Sequence, residues 1–186
     1  MPHRMEESEP EVVRLGVRPS RPVLLGLLMG LTVLLQLGPV YLPGAGAILS
    51  AAATLPTAVA ALVIPRRCTW FYLAASFLMG LVAVEEMFIF LLMTGPLGLM
   101  LALTFRWARG LSVLASAATL TGGMLLLPTL GGVWPWGGLE RLWPAWLLAV
   151  GYMGFALAYS ALWRVLLARL LTRLPWQGYT EGNEPS

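Results

Sequence analysis

Two adjacent glutamates, Glu85-Glu86, stand inside an otherwise apolar stretch and are the first place to look for chemistry in this chain. A carboxylate kept within a hydrophobic run is costly in lipid and usually marks a functional site. Gln36 closes one apolar run and Tyr152 lies inside another, so each brings a hydrogen-bonding group to the same kind of environment. A third helix begun near Thr69 puts Glu85 about 24 Å along it, toward one end of a membrane. Gln36 and Tyr152 fall at a similar height. Gln36, Glu85, Glu86 and Tyr152 are therefore the candidate substrate-binding residues of an outward-facing pocket for a small-molecule ligand.

Other chemistries are excluded by what the chain lacks. His3 is the only histidine, which removes HExxH zinc proteases, serine–histidine hydrolases, haem-binding spans and histidine metal clusters. There is no lysine, so no GxxxxGK[ST] loop exists and ATP cannot be hydrolysed by that route. Paired glutamates occur in membrane CAAX-type proteases, but those need an arginine soon after the pair and histidines on later spans. Here Phe90 follows instead. The expectation is a non-enzyme with no catalytic residue, no metal site and no cofactor. Cys68 is a lone cysteine and cannot form an internal disulfide.

The elements that position the glutamates are dictated by composition. Hydrophobic residues make up 58% of the 186 and charged residues only 11%, with a mean hydropathy of +0.77. Soluble domains carry about 25% charged residues, so this chain has too little polar surface for water. Six spans of about 20 residues, joined by short loops, use nearly all of it. The fold class expected is all-α, a polytopic transmembrane helix bundle of about six spans in the cell inner (plasma) membrane. No basic face is available for nucleic acid.

Break signals divide the chain. Residues 1–22 are mixed in charge and proline-bearing, and read as a cytoplasmic N-terminal tail. A cleaved leader ending at Ala45-Gly46-Ala47 is disfavoured by the acidic start. Residues 23–174 form the transmembrane domain and 175–186 a cytoplasmic C-terminal tail. The spans expected are Val23–Leu37, Ala45–Ile64, one from Thr69, one ending at Phe105, one from Leu111 to Leu127 or Leu130, and one from Pro144 into the Arg164–Arg173 stretch. Between spans three and four the chain turns either at Gly95-Pro96 or at Glu85-Glu86. The first choice follows the stronger turn chemistry. The second leaves Gly-Pro as a kink within a helix, which membrane helices tolerate.

Arginines lie before span one, between two and three, between four and five, and after six, whereas the alternate loops have almost none. Arginine-rich loops stay cytoplasmic, so both termini are expected inside. Trp134, Trp136, Trp143 and Trp146 then form an aromatic belt outside. Small residues recur at steps of three and four: Gly26 and Gly30 in span one, Gly46, Ser50, Thr54 and Ala58 in span two, Gly151, Gly154, Ala158 and Ala161 in span six. Such stripes let helix backbones approach closely, either to seal the bundle or, at Gly26 and Gly30, to dock a partner membrane protein.

The six-span order, the small-xxx-small pair Gly26/Gly30 and the segment Gly38-Pro-Val-Tyr-Leu-Pro-Gly-Ala-Gly-Ala47 resemble the substrate-binding (S) component of energy-coupling factor transporters over residues 23–174. Gly95-Pro-Leu-Gly-Leu-Met-Leu-Ala-Leu103 is similar to the small-residue fourth helix of related bacterial membrane proteins. The resemblance implies capture of a vitamin-like small molecule or metal near the outer face. It also implies association with a transmembrane scaffold subunit and cytoplasmic ATPases. Two other classes fit the size and span count: a non-transporting membrane scaffold or assembly factor resembling MreD, and a small ion-coupled carrier using the glutamates.

Overall fold

The computed structural model describes residues 20–42, 44–135, 138 and 142–173, and every regular element among them is helical. Six rods follow one another: α1 (Arg21–Gln36), α2 (Ala45–Val63), α3 (Cys68–Gly80), α4 (Val84–Leu103), α5 (Arg109–Gly131) and α6 (Ala145–Arg173). The four rods α2, α4, α5 and α6, of 19, 20, 23 and 29 residues, are long and apolar enough to cross a membrane. They mark a membrane protein. The other two are shorter, 16 residues in α1 and 13 in α3. At 1.5 Å per residue these reach about 24 and 20 Å, against a hydrocarbon core of about 30 Å. The expected tails lie outside the described residues except for 20–22, as do Trp136, Glu140 and Arg141.

The boundary between the third and fourth rods corrects the expectation built on Gly95-Pro96. The chain turns at Leu81–Ala83, directly before the glutamates, and Gly95-Pro96 sits within α4. A π-helical turn over Phe90–Thr94 is what admits the proline. Gly95 N–H bonds back to Phe90 O, five residues earlier. The wider turn makes room for the Pro96 ring, which clashes with the carbonyl four residues back in a regular helix. Two carbonyls, Leu91 O and Leu92 O, thereby lose their usual donors. The Tyr72 hydroxyl of α3 donates to Leu91 O. Leu92 O lies against Gly123 of α5, where a Cβ would sit 1.8 Å from it.

The second rod is broken for a related reason. It is interrupted at Ala53, three residues before Pro56. At that break the Tyr159 hydroxyl of α6 donates to Ala51 O at 3.3 Å. Lipid supplies no hydrogen bonds, so backbone groups released at a break need partners from neighbouring helices.

Packing follows the small residues only in part. The α2 stripe Gly46, Ser50, Thr54 and Ala58 is wholly buried, and the second halves of α2 and α4 pack together. The α1 glycines behave otherwise: Gly26 and Gly30 are exposed, and a Cβ at either would meet nothing within 4 Å. They do not seal this bundle. In α6 the buried face is Tyr152, Ala156, Ser160, Trp163 and Leu167. Of the expected stripe, Gly154 and Ala158 are exposed and Gly151 and Ala161 only half-buried. Leu34, Ile48, Phe77 and Trp146 are likewise exposed, as an apolar solvent requires.

The rods alternate in direction, which separates the charges. Glu85 and Glu86 open α4 at one end. Arg66, Arg67, Arg106 and Arg109 flank the opposite helix ends. Arg164 joins them, donating from Nη2 to Phe105 O at 3.3 Å and Trp107 O at 3.2 Å.

Candidate functional site

The end of α1 and the start of α2 are drawn together by a short helical turn, Gly38–Tyr41. A Cβ on Gly46 would lie 2.4 Å from the backbone of Gly38 and Pro39. Only glycine fits there, and one turn further along α2 Ser50 comes beside the last residue of α1, Gln36. The fully buried Gln36 amide is the hub of a network joining three helices. Its Nε2 donates to Ser50 Oγ at 2.7 Å and to Glu86 Oε2 at 2.9 Å. Its Oε1 accepts from Thr94 Oγ1 at 2.8 Å. Three of the four hydrogen bonds that a primary amide can form are thus made inside the bundle.

Glu86 and Thr94 reach the same amide although they are eight positions apart on α4. In a regular helix eight steps of about 100° leave the second side chain roughly 80° around from the first. The π-helical turn between them absorbs one extra residue and reduces that offset to roughly 20°. The Gly-Pro pair, through the turn that accommodates it, therefore aims Thr94 at Gln36.

Glu86 is buried and Glu85, one position earlier, is exposed. Both occupy the first turn of α4, where the positive helix end favours negative charge. They border a shallow groove of about 540 Å³, completed by Pro39, Val40, Ala83 and Val84. One carboxylate held by the network and one free at the rim thus face an otherwise apolar cleft. Such a surface suits a solute with a cationic centre and an apolar body. Among the described residues no three His, Cys, Asp or Glu side chains gather, and Glu85 and Glu86 are the carboxylates present at this end.

Of the four residues expected at the site, the structure joins Gln36 to Glu86, puts Glu85 on the rim, and sends Tyr152 elsewhere. Tyr152 is buried in the main apolar cluster with Ala58, Leu97, Leu120 and Ala156 among others. Ser50 and Thr94 complete the network and lie outside the four expected residues. Ser50 carried a signal, since it follows Gly46 on a small-residue stripe. Thr94 carried none at helical spacing. No protein-family model matches the chain, and no curated protein or solved structure shows significant similarity to it.

Proposed function

We propose that this protein is a multi-pass plasma-membrane protein that captures a small cationic or amine-bearing solute at its glutamate end. On this reading it crosses the membrane six times with both termini in the cytoplasm, and the glutamate end faces outward. It serves as the substrate-binding subunit of an uptake system of the energy-coupling factor type, with the scaffold and ATPases supplied by partners. The orientation is supported by the arginine positions, since arginine-bearing ends are retained in the cytoplasm. The observation that carries the ligand class is the Glu86 carboxylate, fixed by Gln36 and bordering the groove with Glu85 beside it. A buried, preoriented carboxylate strengthens attraction to a cation because few water dipoles compete with it.

An ion-coupled carrier is the second reading, favoured by one fact: Glu86 is the sole buried carboxylate among the described residues. The two are separated by purification from native membranes. Small molecules extracted from wild type and from Glu86→Gln are compared by mass spectrometry. The capture reading expects an amine or other cation enriched with wild type and depleted from the variant. If no solute is enriched over an unrelated membrane protein, and transport stops when the proton gradient is collapsed, the carrier reading replaces it.

A further inference from the structure

The opposite end of the bundle carries a second concavity. The first turn of α5 and the C-terminal part of α6 leave a cleft of about 250 Å³ lined by Arg109, Arg164, Val165, Ala168 and Arg169. Three guanidinium groups border one small space. The described carboxylates, Glu85 and Glu86, are at the far end of α4, about 25 Å away along the helix. No carboxylate among the described residues balances this charge.

The arrangement is more built than a loose set of surface arginines. Arg164 is braced by its two carbonyl acceptors, Phe105 O and Trp107 O, and its guanidinium lies over the Phe105 ring at 5.3 Å. Its Nε is buried and meets no acceptor among the described residues. That Nε is closed off from the cleft, so Arg164 can meet an anion there only through its outer guanidinium nitrogens. The start of α5 adds to the same charge. Its N-cap is Ala108, whose methyl group cannot accept from the free N–H groups of the first turn. The positive end of the helix is therefore left without a cap, with Arg109 on its first residue.

We infer that this cleft binds the phosphate of an anionic membrane lipid. Guanidinium groups and an uncapped helix start are the donors that a phosphate oxyanion takes. A lipid fits better than soluble phosphate because of what adjoins the arginines. Val165 and Ala168 give the cleft an apolar wall. Ala158, Leu162, Val165 and Arg169 follow one stripe of α6 at steps of four, three and four, all exposed or half-buried. That stripe gives an acyl chain a track from the headgroup toward the middle of the bundle, which a free anion would not use. The inference stands whichever solute the glutamate end binds.

The test is retention of phosphatidylglycerol by the full-length protein, released from nanodiscs containing phosphatidylglycerol and phosphatidylcholine, and read by native mass spectrometry. The variant Arg109→Gln with Arg169→Gln removes two exposed guanidiniums and leaves the braced Arg164 in place. The control, Arg67→Gln with Arg173→Gln, removes equal charge from the same end but outside the cleft. Phosphatidylglycerol retention should fall by about tenfold or more in the cleft variant and by no more than about twofold in the control. Equal losses in both pairs would mean diffuse charge attraction and would overturn the site, as would no loss in either. Displacement of the retained lipid by excess inorganic phosphate would overturn the lipid assignment in favour of a soluble anion.

Discussion

Replacing Gln36 with leucine removes the hub of the polar network while keeping a side chain of similar size. Three hydrogen bonds disappear, at 2.7, 2.8 and 2.9 Å. Interhelical hydrogen bonds in membrane proteins are worth about 0.6 kcal/mol on average and up to about 1.7, so three give roughly 2 to 5 kcal/mol. The lower part of that range is expected here. Ser50 and Thr94 can turn to carbonyls one helical turn back, and Glu86 can reach water in the groove. The predicted loss is therefore about 2 to 3 kcal/mol. Denaturation of the purified protein in mixed micelles of mild detergent and dodecyl sulfate measures it. Thr94→Val removes one of the three bonds and should cost about a third as much. Because that bond is already absent once Gln36 is gone, the double variant should be scarcely less stable than Gln36→Leu alone. Additive losses, or a Gln36→Leu protein within about 0.5 kcal/mol of wild type, would refute the network as a cooperative unit.

Three further outcomes are expected. Gly123→Ala puts a Cβ 1.8 Å from Leu92 O, which forces α4 and α5 apart by about 1.5 Å to restore an ordinary contact. It should cost about 2 to 4 kcal/mol, whereas the adjacent Gly122→Ala, with nothing within 4 Å of the new methyl, should be close to neutral in the same denaturation assay. Cys68, half-buried at the arginine end with its Sγ 2.9 Å from Pro65 O, should resist a membrane-impermeant maleimide in intact cells and label only after permeabilisation. Prompt labelling from outside would invert the orientation. Gly26→Leu with Gly30→Leu should leave folding unchanged, because both positions face open space. If that face docks a scaffold subunit, the double variant loses copurification of the scaffold and uptake together.

Much of the fold can be read from residue types. Arg66-Arg67 and Arg106/Arg109 mark turns between rods, and Gly46, Ser50, Thr54 and Ala58 mark a buried face, because hydropathy and side-chain size act locally. The turn after α3 was not legible. Leu81–Ala83 carries no glycine, proline or polar turn residue, while Gly95-Pro96 carries both strong signals and is absorbed by a π-helical turn. That same turn hid Thr94 from any search at helical spacing. Gly26 and Gly30 show the converse limit: small residues permit close approach, but which helix approaches depends on the whole bundle. At the site, Gln36 and Glu86 were recognisable as polar groups in apolar runs. Tyr152 shared that description and yet packs in the apolar cluster, since a phenol ring can be buried as a hydrophobe wherever its hydroxyl is accommodated.

The most direct measurement is the equilibrium affinity of the purified protein for whichever amine or other cation mass spectrometry finds enriched with it, compared between wild type and Glu86→Gln. Removing the charge from a buried, preoriented acceptor should weaken binding by about tenfold or more. Glu85→Gln, at the exposed rim, should weaken it by about fivefold or less. Equal affinity of wild type and Glu86→Gln, with the variant fully folded, would contradict a ligand site at the glutamate end.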